Sequence, residues 1–199
     1  MTTPPGWDEA YADGTRSPWD IGRPQPAFAR LAGRGLLGGR VLEAGCGTGE
    51  QTLLAAAAGA DALGVDISPR AIGRARDKAA ERALVARFEV ADASNLGAFG
   101  LIVDTVIDCG LFHVFDDDAR PRYVASLASV VRAGGTCHLM CFSDRQPGGF
   151  GPRRVSQDEL RTAFRDGWTI DDITADTFEL NPGLPIASAR SWLATIRRA

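Results

Sequence analysis

The chain is 199 residues long, about the size of one domain, and 45% of it is hydrophobic, enough for a single buried core. A formal net charge of −3 with no Lys- or Arg-rich run argues against nucleic acid or an anionic membrane surface as partner, leaving a small molecule as the expected one. The amino terminus shows no basic and apolar leader pattern. The most apolar stretch, 53–65, is too short and too broken by Gly59 and Asp61 to span a bilayer, so the expected setting is cytoplasmic.

Residues 1–39 differ in character from the rest of the chain. They hold Trp7, Tyr11 and Trp19, with prolines at 4, 5, 18, 24 and 26, and proline removes ladder donors. The segment reads as a helical and irregular lid over the carboxyl edge of a sheet, within one domain that continues as a core (40–142) and a tail (143–199).

From Arg40 short apolar runs alternate with helical patterns, the order that builds a parallel sheet covered on both faces. Residues 41–45 predict a first strand that ends in glycines, followed by a helix over 50–58. A second strand is expected at 62–67; Ser68 and Pro69 then supply an N-cap and a proline at the first helical position for a helix reaching 83. Strands follow at 86–92 and 101–108, then a helix over 120–132 ended by Gly134-Gly135, and a fifth strand at 136–142.

Ser156 and Glu159 have capping-box spacing for a helix to Phe164. The tail strands at 168–173 and 191–196 have no helix between them, which predicts an antiparallel closing pair. The expected fold is therefore α/β: a Rossmann-like seven-stranded sheet, five strands parallel plus a carboxyl-terminal antiparallel hairpin, with helices on both faces.

The chemistry gathers at strand ends. In VLEAGCGTG an acid, Glu43, precedes a turn through Gly45, Gly47 and Gly49, where glycine permits positive φ and close approach of a ligand to the backbone. Asp66 closes the second strand 21 residues beyond Gly45, where a Rossmann domain puts the acid that binds ribose hydroxyls. That acid alone fits a nicotinamide cofactor equally well. The glycine spacing is G-x-G-x-G, whereas the dinucleotide fingerprint is G-x-G-x-x-G and serves a pyrophosphate.

The set EAGCGTG, GVDIS, VADAS and VIDCGLFHVF resembles the class I S-adenosylmethionine-dependent methyltransferases over most of 40–142. The resemblance implies S-adenosylmethionine as cofactor, with Glu43 orienting its methionine end through water and the backbone of Gly45 and Gly47 passing beneath. It also implies Asp66 on the ribose hydroxyls, Ile67 against the adenine, Asp92 and the Ala93 amide at the adenine edge, and Asp108 and Trp19 in the same cofactor set.

The amino-terminal GWDEAY and SPWDIG resemble the lid of the thiopurine and thiol/halide methyltransferases, which implies that Trp7, Tyr11 and Trp19 wall in the sulfonium and the acceptor. The loop after the fourth strand, with Cys109 and His113, is similar to small actinobacterial methyltransferases acting on quinone-like or hydroxyquinoline heterocycles. His113 is expected to bind the acceptor and act as general base, since a neutral imidazole can take a proton as methyl transfers; a structural histidine is the alternative.

No metal is expected. The acidic run 116–118 reads as a solvated helix start, and His138 points away from Cys137 and Cys141 on a strand. All four cysteines are expected as free thiols. The leading reading is methyl transfer to O, S or N of a small, largely apolar or heteroaromatic acceptor. The competing readings are a thiol, halide or metalloid-detoxifying methyltransferase, a non-catalytic cofactor-binding scaffold, and a nicotinamide oxidoreductase.

Overall fold

The sheet is built in chain order from β1 (Arg40–Ala44), β2 (Asp61–Asp66), β3 (Arg87–Val90), β4 (Val103–Cys109), β5 (Val131–Phe142), β6 (Trp168–Glu179) and β7 (Ser188–Arg198). The structure, a computed structural model, describes residues 6–12, 17–149, 151–182 and 184–199; the parts of the expected lid at 1–5 and 13–16 lie outside the described residues. The strands lie in the order β3-β2-β1-β4-β5-β7-β6, the first five parallel and β7 antiparallel to both neighbours. The chain runs outward from β1 to β3 and returns to β4 beside β1. The connections at the carboxyl ends of β1 and β4 therefore diverge and leave a crevice, the usual ligand position in such sheets.

Alternation along the strands divides the core. Leu42, Val106, Leu139 and Cys141 face one side, where they pack with Tyr123 and Leu127 of α4 (Arg120–Val130) and Leu160 of α5 (Gln157–Ala163). Val41, Ile107 and Met140 face the other, against Phe28 and Leu31 of α1 (Pro26–Gly33) and Ala55 of α2 (Glu50–Ala57). Ile72 and Ala75 of α3 (Pro69–Glu81) complete that side with Phe88. His138 lies opposite Cys137, its ring 3.3 Å from the Thr195 hydroxyl, and all four cysteines are free thiols.

The expected helix starts are present. Ser68 Oγ accepts from the Ala71 amide at 3.1 Å, and the Ser156–Glu159 capping box closes in both directions at 2.8 and 3.1 Å. The tail departs from expectation in length: β6 and β7 continue through residues 179 and 188, well beyond the apolar runs. β6 is an edge strand with most of its positions solvated, so backbone pairing to β7 carries it where no apolar pattern marks it. The fourth helix ends at Val130 rather than Arg132, because Val131 already pairs with Val103.

Beneath the crevice, Asp108 at the end of β4 is fully buried. Its carboxylate accepts from Tyr123 Oη at 2.8 Å and from the amides of Leu111 and Phe112 at 2.8 and 3.1 Å, so it ties α4 to the turn after β4. Burial pushes its pKa up to about 6, against those hydrogen bonds. The folded protein therefore holds this proton more tightly than the unfolded chain, and this group's contribution to stability declines as pH rises through about 6. Tyr123→Phe removes one donor from that carboxylate. Urea unfolding should show a loss of about 1.5–3 kcal/mol near pH 8, where the lost bond is to a charge, and a smaller loss of about 0.5–1.5 kcal/mol near pH 5. An equal loss at both pH values would count against the ionised Asp108–Tyr123 bond.

Candidate active site

The turn after β1 is shaped by three glycines in the left-handed region, at φ +68° (Gly45), +52° (Gly47) and +84° (Gly49). At Gly47 a side chain is also excluded by space, since a Cβ would sit 2.7 Å from the Tyr11 hydroxyl. The turn delivers the amino terminus of α2 to the end of β1. There Glu43, 1% exposed, accepts from the Thr52 amide at 2.7 Å, from the Thr52 hydroxyl, and from Gln51 Nε2 at 3.3 Å. A side chain from β1 thus satisfies a free amide of the first turn of α2, which Gly49 cannot cap. Burial raises the Glu43 pKa to about 8, opposed by the Thr52 bonds.

Asp66 closes β2 next door. Its two oxygens accept from the Gly47 amide at 2.8 Å and the Ser68 amide at 2.9 Å, and the Ile67 amide adds a third backbone donor, which leaves lone pairs on the carboxylate for a ligand. Desolvation raises its pKa. One strand further, the Asp92 carboxylate accepts from the Ser94 amide at 2.8 Å and starts a short 3-10 turn at Ala93.

The amino-terminal segment docks on these strand ends. Asp8 accepts from Ser68 Oγ at 2.6 Å and pairs with Arg70 at 3.1 Å, while Asp20 accepts from Thr48 Oγ1 at 2.9 Å. Lys78 reaches Thr48 at 2.6 Å and Glu50 at 2.7 Å, and Arg82 holds both oxygens of Glu50. Asn181, just past β6, donates to the carbonyls of Ser17 and Asp20 at 2.6 and 2.7 Å. So held, Trp7 and Trp19 meet edge to face at 5.8 Å, and Trp19 Nε1 donates to Tyr11 Oη at 2.9 Å.

One cavity of about 640 Å³ joins these parts. It is bounded by the expected lid residues Trp7, Tyr11 and Trp19; by Glu43, Gly45 and Gly47 of the glycine turn; by Asp66 and Ile67, then Asp92 and Ala93; and by Cys109 and His113 after β4. Of the residues expected to bind cofactor or acceptor, the structure thus brings together all but Asp108. That residue does not line the cavity, and its expected place at the cofactor is corrected to a buried tie, because Tyr123 and two amides occupy its oxygens. Phe142, Phe178 and Leu180 also line the cavity and carry no sequence signal beyond their apolarity. Among the described residues no group of three or more His, Cys, Asp or Glu side chains is placed to hold a metal. Asp116–Asp118 instead form the turn that precedes α4, with Asp116 accepting from the Ala119 amide and Asp117 paired with Arg153.

His113 corrects a second expectation. Its Nδ1 accepts from the Phe142 amide at 2.9 Å, so the proton of the neutral ring is on Nε2. The ring, 6% exposed, stands edge to face with Phe142 at 5.1 Å and 6.4 Å from Phe178. Burial and the nearby Arg154 charge push its pKa down to about 3. An imidazole in this state offers N–H and has no free lone pair, so the geometry does not support a general base.

A family model described as a methyltransferase domain matches residues 41–135. The chain is 38% identical over 162 residues, 80% of its length and 71% of the relative's, to the 2-heptyl-1-hydroxyquinolin-4(1H)-one methyltransferase of Mycobacteroides abscessus. It is 28% identical over 156 residues, 77% of its length and 69% of the relative's, to the probable thiol methyltransferase 2 of Arabidopsis thaliana. A solved structure concerned with conversion of a disulfide bond into a thioacetal group during echinomycin biosynthesis is similar at a TM-score of 0.84 and 39% identity, over 92% of this chain and 86% of that one.

The state of His113 is directly observable. Nitrogen-resolved NMR of the imidazole should show a single Nε2–H tautomer whose signals do not move between about pH 8 and about pH 5. A ring that titrates near its ordinary value of about 6.5 would contradict the Phe142 bond.

Proposed function

The chain belongs to the class I S-adenosylmethionine-dependent methyltransferases, and we propose that it methylates an oxygen, sulfur or nitrogen of a small, flat, largely apolar aromatic or heteroaromatic acceptor. The observation that carries this reading is the continuous cavity reaching from the glycine turn to a chamber walled by Phe142, Phe178 and Leu180. Its volume of about 640 Å³ lies well within the ~300–1,000 Å³ of small-ligand sites. The name of the Mycobacteroides abscessus relative, which specifies a hydroxyquinolone, supports a heterocycle of that kind. A halide ion would leave the aromatic chamber largely unfilled, and a non-catalytic scaffold would be expected to have an obstructed one.

The cofactor supplies a methyl group on a sulfonium, which passes to an acceptor lone pair while the sulfur retains the S–C bonding pair. In our reading Asp66 takes the ribose hydroxyls with the lone pairs its amide bonds leave free, and the backbone of Gly45 and Gly47 runs beneath the methionine end. Ile67 packs on the adenine, with Asp92 and the Ala93 amide at its edge. Glu43 acts by holding α2 and Gln51 in place, since those partners occupy its oxygens. Trp7, Tyr11 and Trp19 turn aromatic surface toward the sulfonium, which a ring quadrupole attracts, and Cys109 and His113 border the acceptor.

Two measurements test this. A screen with labelled S-adenosylmethionine over phenols, hydroxyquinolones, aromatic thiols and halides should give methylated aromatic products and little or no methyl halide; the reverse preference would overturn the acceptor class. Asp66→Ala should weaken calorimetric affinity for S-adenosylhomocysteine by about 1.5–3 kcal/mol, the range for hydrogen bonds to a charged group. Unchanged affinity would remove Asp66 from the ribose.

A further inference from the structure

We infer that the acceptor is taken up already ionised, with His113 presenting its Nε2–H to the anionic oxygen or sulfur that receives the methyl group. This rests on the methyl-transfer reading above and names the acceptor's chemical class: aromatic O–H and S–H acids that ionise near or below neutral pH. N-hydroxy heterocycles, aromatic thiols and phenols bearing electron-withdrawing groups belong to it; simple phenols and alcohols do not.

The first ground is the fixed tautomer of His113. Turning the ring over would set a C–H against the Phe142 amide and strand a buried donor, at a cost comparable to a lost hydrogen bond. Phe142 and Phe178 flank the ring, and a Cβ at Gly110 would lie 3.5 Å from its Cε1. The ring is therefore held in a slot with its N–H as the one polar group it can offer.

The second ground is that the other ionisable groups of the cavity are committed elsewhere. Glu43 is bound to Thr52 and Gln51, Glu50 to Lys78 and Arg82, and Asp20 to Thr48. Tyr11 Oη accepts from Trp19, and Asp66 and Asp92 close β2 and β3, on the far side of β1 from the acceptor chamber. The Cys109 thiol is held well above its ordinary pKa by burial, with the Glu43 and Asp108 carboxylates adding to the effect. No described group at this end is free to remove a proton.

The charges around His113 also suit an anion. From the β5 side the Arg154 guanidinium stands over the Phe142 ring at 5.4 Å, and its charge reaches the imidazole. From the β6 side Glu179 beside Phe178 is neutralised by Arg23. From the β4 side come Cys109 and Asp108, the latter turned into the core toward Tyr123. In the step itself the new C–O or C–S bond uses the acceptor's lone pair, the old S–C pair remains on the cofactor sulfur, and no proton passes to the protein.

The test is kcat/KM against pH for aromatic hydroxyl and thiol acceptors whose acidities span about 6 to 10. Each profile should rise with pH and level off at that acceptor's own pKa. His113→Asn keeps an acceptor for the Phe142 amide, but its shorter amide no longer carries an N–H out to the position of Nε2. It should lower kcat/KM by about 10- to 100-fold on every acceptor without altering affinity for S-adenosylhomocysteine, and His113→Gln, which returns an N–H at similar reach, should recover part of the loss. Independently of turnover, 4-nitrophenol bound beside S-adenosylhomocysteine should show the phenolate absorbance at a pH below its free pKa. Profiles that share one enzyme pKa, a histidine loss that grows with acceptor pKa, or nitrophenol that fails to bind as phenolate would each overturn the inference alone. No methylation of any member at any pH, with S-adenosylhomocysteine still bound, would overturn the acceptor reading and the inference with it.

Discussion

The architecture of the site depends on one buried carboxyl group. Among the described residues no cation pairs with Glu43 at the end of β1, and the three donors that satisfy it come from Thr52 and Gln51 in the first turn of α2. A carboxyl oxygen there accepts from the first turn of the helix, and the helix gains a cap that its glycine cannot provide. The order continues outward: Gln51 Oε1 accepts from the Gln25 amide at 3.3 Å, and Gln25 exchanges side-chain bonds with the Glu179 backbone at 2.9 Å in both directions. A single polar chain thus runs from the centre of the sheet to its edge strand, fixing the floor of the cavity and the start of α1. Removing any one member strands a buried partner.

A second network holds the cover. The sole lysine of the chain, Lys78, places its compact ammonium between Thr48, Glu50 and, at 3.8 Å, Asp20. Three donors on a point charge suit three partners in different directions, where the flat fork of an arginine suits one carboxylate, as Arg82 does with Glu50. Most ion pairs on this surface are exposed and contribute little. This one joins α2, α3 and the lid at side chains that retain only 7–21% exposure, so it fixes where Trp19 stands.

The parallel half of the fold was legible because fully buried strands must read as apolar runs and because Ser68, Pro69, Ser156 and Glu159 have local reasons to begin helices. That the glycine turn, Asp66 and Asp92 gather at one cavity was legible for a similar reason, since these residues are fixed by position at strand ends and by glycine spacing. Three features were not. The length of β6 is set by pairing to β7, which requires no particular side chain. Asp108 sits at a strand end like Asp66, and only three-dimensional packing turns it toward Tyr123 instead of the cavity. The proton position on His113 is determined by an amide 29 residues away, Phe142, which no local pattern could reveal.

That proton position bears on how the cavity accelerates the proposed reaction. A sulfonium and an anionic acceptor react to give two neutral products, so charge disappears on the way to the transition state. In water the hydration of both ions opposes this, whereas in a cavity of low dielectric constant the attraction between them grows as hydration is removed. In the proposed reaction, aromatic walls such as Trp7, Tyr11 and Trp19 would stabilise the cation without cancelling its charge, and a neutral N–H would stabilise the anion without taking its lone pair. A carboxylate beside the sulfonium, or an imidazolium beside the acceptor, would hold each reactant more tightly and release it less readily into the transition state. The arrangement of the cavity avoids both: its carboxylates are engaged by amides, hydroxyls and paired cations, and its histidine is kept neutral by burial and by Arg154. Under the proposed reaction, burial at the acceptor end is part of the chemistry, because a neutral donor in a dry slot is the form of His113 that would let methyl transfer proceed with no proton to move.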